Sequence, residues 1–222
     1  MSLQSRFAQD QITEIGIDEA GRGSFWGPLM AGAVVLPLVW TEEQRAVLVQ
    51  LRDSKKISPK KRFLLEAELR KQIPLCGVGI VMPSEINRQG ITWANREAFR
   101  RAMASLSIPL EGCRLLLDGT LDIDDWKGEQ NVIIEGDNQY IAIAAASILA
   151  KVAHDKWIHE FCEANPECQA RYDLLRSNGY GTAKHREGIR LYGGHELHRE
   201  QYIQNWLPGA KKSNACLIQF TR

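Results

Sequence analysis

The chain reads as an α/β protein: a mixed five-stranded sheet flanked by helices, with a helical C-terminal region. Three observations predict it. Short apolar runs rich in β-branched residues come first, then alternate with stretches of helical spacing. Two later runs, 114–117 and 132–134, are too short for buried helices and read as buried strands. An alanine-rich segment of helical length follows them, and small side chains let a helix lie close to a sheet.

Taken in order, residues 12–17 alternate apolar with polar or small residues, 31–36 are β-branched and apolar, and 75–81 repeat the pattern, giving three strands. Between them, 42–51 and 59–71 are helical, the second with Ser58 at N-cap and Pro59 at the first helical position. Helical spacing resumes over 93–106, before the fourth and fifth strands at 114–117 and 132–134. A long helix is expected from Asn138 to about Glu163, and shorter ones over 167–175 and 182–191. No repeat or low-complexity tract divides the chain. One domain over 1–222 is expected, with a core at about 12–165, a helical region at about 166–207 and a tail at 208–222.

The composition, 44% apolar and 25% charged, excludes disorder, collagen and coiled coil. The longest apolar stretch, 29–40, is too short to cross a bilayer, and 1–10 lacks the apolar core of a signal peptide. A cytoplasmic protein with no membrane partner is therefore expected. With 28 Lys and Arg against 27 Asp and Glu, no global field attracts nucleic acid, and any such partner must be held by local patches. Cys76, Cys113, Cys162, Cys168 and Cys216 form no C-x-x-C pair and read as reduced, mostly structural thiols.

The chemistry is concentrated in Ile17-Asp18-Glu19-Ala20-Gly21-Arg22-Gly23, where two adjacent carboxylates close an apolar strand. Carboxylates so placed repel unless something positive lies between them, and hard divalent cations with oxygen ligands are the usual answer. A solvated turn is the bland alternative. Asp118 and Asp137 also lie at or just beyond strand ends, although Asp118-Gly119 is a good turn pair and Asp137 is well placed to cap the long helix. Because ligands of open sheets bind beyond strand C-termini, Asp18, Asp118 and Asp137 could converge there. Gly21 and Gly23 let backbone amides approach a sugar or phosphate while Arg22 supplies a charged fork. A dinucleotide site fits poorly, since the spacing is G-x-G-x-x-x-G and a strand, not a helix, follows.

Five motifs stand in one order: DEAGRG after the first strand, Asp53-Ser54-Lys55-Lys56, Leu117-Asp118-Gly119, Gly136-Asp137 before IAAASILAKV, and Gly179-Tyr180-Gly181-Thr182. With these the chain resembles type 2 ribonuclease H, ribonuclease HII, over about residues 12–206. The resemblance implies a ribonuclease H-like fold and a metal-dependent endonuclease. Such an enzyme cuts the RNA strand of RNA/DNA hybrids and incises 5′ of ribonucleotides embedded in duplex DNA. It further implies Asp18, Glu19, Asp118 and Asp137 as catalytic carboxylates holding two Mg²⁺ or Mn²⁺ ions, and products with 3′-hydroxyl and 5′-phosphate ends.

Backbone groups of Gly21, Arg22 and Gly23 would, by the same resemblance, read the 2′-hydroxyl, and Tyr180 would pack on the sugar 3′ of the cut. Ser54 and Lys55 match a family motif for backbone phosphates, whereas the neighbouring Lys60, Lys61 and Arg62 read as a solvated helix end. His198 and Arg199 resemble a family His-Arg pair and are carried as substrate contacts, with a structural role as the alternative for His198 and for His185. Ser24-Phe25-Trp26 is bulkier than the usual filling and could alter the floor under the Gly-Arg-Gly loop. Gln219-Phe220 in the tail is a slight signal for a sliding-clamp partner, and a monomer is expected. A binding-only module and a junction resolvase of the same fold are the rivals. The first should have lost an acid, and the second has little use for 2′-hydroxyl recognition.

Overall fold

Five strands, β1 (Glu14–Ala20), β2 (Leu29–Val35), β3 (Cys76–Val81), β4 (Arg114–Asp118) and β5 (Gln130–Ile133), form one sheet in the order β3-β2-β1-β4-β5. This is a computed structural model, and it describes residues 3–51 and 57–210. β2 is antiparallel to both β1 and β3, whereas β4 is parallel to both β1 and β5. The sheet is mixed, with β1 at its centre. β1 runs further than the alternation predicts, through Asp18 and Glu19, which pair with Gly32 and Ala31 of β2. Its ladder with β4 stops at Ile17 and Leu117. The sheet therefore opens where the carboxylates begin.

Helices α1 (Glu42–Leu48) and α2 (Pro59–Gln72) follow β2, α3 (Pro83–Gln89) and α4 (Ile91–Ala104) follow β3, and α5 (Ile141–Ala164) follows β5. Ser58 caps α2, its hydroxyl accepting from the Lys61 N–H. The sequence pattern does not reveal α3, which is too short to display a helical period. α4 covers Ile15, Ile17, Leu115 and Leu117 on one face of the sheet, and α5 with α1 and α2 covers the other. α5 lies exceptionally near: a Cβ on Gly16 would fall 2.3 Å from the Ala142 carbonyl carbon, and one on Gly32 2.2 Å from the Ala146 oxygen. Only glycine on the sheet permits that approach, which brings polar side chains of α5 to the strand ends.

The long helix begins at Ile141 rather than Asn138. Its N-cap is Tyr140, and Asp137 sits in a preceding 3₁₀ turn, Gly136–Asn138, so the capping alternative for Asp137 is not realised. Beyond α5, helices α6 (Pro166–Tyr172), α7 (Leu174–Ser177), α8 (Ala183–Tyr192) and α9 (Glu200–Ile203) complete the C-terminal region. The stretch expected as one helix is split between α6 and α7 at Asp173, which adopts the left-handed conformation with φ 52°. These helices gather around Trp26, with Ile158, Tyr172, Leu174 and Ile189. The bulky Trp26 is thus the anchor that docks the C-terminal region onto the loop after β1. Cys76, Cys113, Cys162 and Cys168 are free thiols, and Cys216 lies outside the described residues. Among the described residues no helix is long and apolar enough to cross a membrane.

Candidate active site

Asp18, Glu19, Asp118 and Asp137 line one open cleft of about 790 Å³, together with Gly21, Arg22, Gly23 and Tyr180. Three stretches of chain meet there because β1 and β4 end side by side, and the 3₁₀ turn after β5 folds back over them. The Asp118 carboxylate accepts the Gly136 N–H at 2.6 Å and so ties the end of β4 to that turn. Asp18 is only 5% exposed and accepts the Glu19 N–H at 2.7 Å. Burial, then the charges of Glu19 and Asp118, push the Asp18 carboxyl well above the ordinary carboxylate range; a Ser147 hydrogen bond opposes this, and Asp137 adds to it. Glu19 is likewise raised by burial and by Asp118, against the opposing pull of Arg22, whose guanidinium lies 3.7 Å away.

The cluster is gathered but not closed. Among the described residues no three His, Cys, Asp or Glu side chains are arranged to grip one ion. The four carboxylates share the cleft, where the Gly136 N–H donates to Asp118 and the Glu19 N–H to Asp18. The donor set, all carboxylate oxygens around a buried and electrostatically strained Asp18, fits a hard divalent cation. A cation would offset the repulsion that raises Asp18 and Glu19.

The Gly-Arg-Gly loop is fixed from beneath. Gly21 has φ +83°, and a Cβ there would collide with the His154 ring at 2.4 Å, so no other residue fits. The Arg22 carbonyl accepts from Arg199 Nη1 at 2.8 Å and from the Tyr202 hydroxyl at 3.1 Å, while Arg199 also donates to the Gly27 carbonyl. A trans peptide points its C=O and N–H in opposite directions, so this inward carbonyl turns the Gly23 N–H outward. Arg199 is 1% exposed, as is His198. Both expectations of substrate contact are corrected: these side chains are buried in the scaffold of the loop.

His198 belongs to a chain of hydrogen bonds ending at Tyr180. Its Nδ1 accepts the His195 N–H, its Nε2 lies 3.0 Å from His185 Nε2, and His185 Nδ1 lies 3.0 Å from the Tyr180 carbonyl. One tautomer assignment satisfies every member: His198 donates through Nε2, and His185 donates through Nδ1. Burial holds both rings neutral, with His185 lowered to about 4 and His198 to about 3. Phe25 and Trp26 N–H groups donate to the Gly179 carbonyl, which clamps the Tyr180 segment to the loop after β1. Tyr180 remains 37% exposed and lines the cleft, as its flanking glycines suggest.

Ser54 and Lys55 lie outside the described residues. Lys60 and Lys61 are exposed, in line with a solvated helix end, but Arg62 is buried and pairs with Asp155 at 3.2 Å, which corrects that reading for it. Sequence reasoning missed Ser147, Lys151, His154 and Asp155 on α5. Their signal was present: polar residues in an alanine-rich helix, with Ser147 and Lys151, and Lys151 and Asp155, at the i, i+4 spacing of one face.

A family model described as Ribonuclease HII matches residues 15–205. The chain is 39% identical over 191 residues to a ribonuclease HII of Prochlorococcus marinus, covering 86% of this chain and 96% of the relative. It is 40% identical over 187 residues to one of Geobacillus thermodenitrificans, covering 84% and 67%. Among solved structures it resembles the ribonuclease H2 of Pyrococcus horikoshii, with TM-score 0.68 and 24% identity over 88% of this chain and 97% of that one. It also resembles the Archaeoglobus fulgidus ribonuclease HII crystallised with PCNA, with TM-score 0.64 and 24% identity over 85% and 94%. A Bst ribonuclease HIII crystallised with Mn²⁺ gives TM-score 0.66 at 17% identity over 88% and 69%. The chain belongs to the ribonuclease HII family and is a metal-dependent endoribonuclease.

Proposed function

We propose that this protein hydrolyses the RNA strand of RNA/DNA hybrids and incises 5′ of ribonucleotides embedded in duplex DNA, leaving 3′-hydroxyl and 5′-phosphate ends. The observation that carries the reading is the meeting, in one cleft, of four carboxylates with a glycine loop whose inward-held Arg22 carbonyl turns the Gly23 N–H outward. Asp18, Glu19, Asp118 and Asp137 would hold two divalent ions, Mg²⁺ or Mn²⁺. When bound, such ions supply Lewis-acid activation of water and offset charge on the scissile phosphate.

The chain's own residues do the rest. Asp18, just past the last β1–β4 pair, presents its carboxylate to the cleft where the two strands part. The outward Gly23 amide can meet a 2′-hydroxyl, the group by which RNA differs from DNA. Arg199 and Tyr202 keep that amide in place by holding the Arg22 carbonyl. Tyr180 offers its half-exposed ring to the sugar 3′ of the cut. Ser54 and Lys55 would bind backbone phosphates without reading sequence. A sliding clamp is a further partner in this reading, supported by the Archaeoglobus complex with PCNA; Gln219-Phe220 lies outside the described residues.

The test is incubation with labelled duplex DNA carrying one ribonucleotide, with Mg²⁺, Mn²⁺ or EDTA. Metal-dependent cutting on the 5′ side of the ribonucleotide is expected. Cutting elsewhere, or equal cutting of all-DNA duplex, contradicts the reading.

A further inference from the structure

Among the described residues that line the cleft, Arg22 and Lys151 are the basic ones. Arg22 turns back to Glu19. Lys151, one helical turn beyond Ser147 on α5, has its Nζ 2.6 Å from Asp155 Oδ1 and 5.8 Å from the centre of the Tyr180 ring. Asp155 is shared, with Arg62 3.2 Å from its other oxygen and His154 Nδ1 3.4 Å from the first. The Arg62 side chain is 6% exposed against 18% for Lys151, so of the two cations that meet this carboxylate Lys151 is the one that reaches the cleft. A carboxylate serving two cations leaves positive charge over.

An ammonium held at its base by a buried acid, partly wet and beside an aromatic ring, is suited to a phosphate as a point charge. We infer that Lys151 is a substrate-binding residue whose Nζ contacts one phosphate of the cleaved strand, next to the nucleotide that packs on Tyr180. This rests on the proposed reading of the cleft as a hybrid-cutting site. Asp155 is then a positioning residue, keeping the ammonium beside Tyr180 and away from the Asp18 cluster. Arg62 supports it in turn, donating to the Ile57 carbonyl as well as to Asp155.

The test measures binding of a single-ribonucleotide duplex in EDTA across a KCl series, for the full chain and for Lys151→Met and Lys151→Arg. Duplexes with a methylphosphonate at one linkage at a time complete the set. Lys151→Met should bind about tenfold more weakly. Its slope of log K against log salt should be smaller by about one phosphate contact, while Lys151→Arg keeps the slope. One methylphosphonate linkage beside the ribonucleotide should weaken the unaltered chain and cost Lys151→Met nothing further. An unchanged salt slope in Lys151→Met overturns the inference whatever the affinity does, because a merely structural lysine would weaken binding without removing a phosphate contact. Should Lys151→Met fail to fold by circular dichroism, Lys151→Gln takes its place under the same criterion. If the unaltered chain binds no duplex at any salt, the reading of the cleft falls, and this inference falls with it.

Discussion

The carboxylate cluster at the split between β1 and β4, and the histidine chain beneath Tyr180, both take ionisable side chains out of water, yet they resolve it in opposite ways. In the cluster the groups share one sign, and burial with mutual repulsion drives Asp18 and Glu19 toward protonation. In the histidine chain burial favours the neutral ring, and each neutral ring finds a donor and an acceptor. A cation would offset the charge in the first arrangement; the second needs no counter-charge, because its rings are neutral. A shifted pKa therefore marks a reactive site only where the displaced charge has an opposite charge still to meet.

The sharpest way to break that contrast is Asp118→Asn. Cleavage should fall to background while hybrid binding is largely kept, and in metal-free buffer the variant should be more stable by about 1 kcal/mol because a like charge is gone. Turnover assays and urea titration measure the two effects. Unchanged turnover would defeat the mechanism, and lower stability would show that the cluster is a structural element after all.

On the scaffold side, Arg199→Met should lose roughly 2–4 kcal/mol in urea unfolding, since buried carbonyls of Arg22 and Gly27 are left without donors. Lowering the pH should act on the same scaffold. Burial lowers the folded histidines to about 4 and about 3, below the ordinary imidazole value of 6.5, so their contribution is complete above about pH 6.5 and is lost as the pH falls toward 4. At pH 5 each histidine should cost about 2 kcal/mol of unfolding free energy, and replacing His185 and His198 together by Gln should flatten that dependence. A flat profile in the unaltered chain would refute the neutral chain. The smallest effect is expected for Tyr180→Ala, which should weaken discrimination at an RNA-to-DNA junction more than cutting of long hybrids, by roughly tenfold. Equal losses on both substrates would place the ring outside sugar recognition.

The two regions also differ in how far the sequence discloses them. Asp18, Glu19, Asp118 and Asp137 stand out because carboxylates next to apolar strands break a local pattern, and Gly21 and Gly23 mark a loop that must approach something closely. Strand ends were less legible: β1 continues past Asp18 because β2 still pairs with it, a fact of register rather than of local alternation. The burial of Arg62, His198 and Arg199 depends on partners far along the chain, Asp155 for the first and the Arg22 and Gly27 carbonyls for the last. No local composition separates such a residue from a surface cation. α3 and the break at Asp173 were hidden for a related reason, since their limits are set by tertiary contacts and a left-handed residue rather than by period.

The central claim is that Asp18, Glu19, Asp118 and Asp137 act together on divalent cations. Anomalous diffraction from a crystal grown or soaked with Mn²⁺ tests it most directly. The account predicts manganese peaks between Asp18 and its three acidic neighbours, with the Asp118 side chain drawn toward them. Peaks confined to other surfaces, with those four side chains pointing apart, would contradict it.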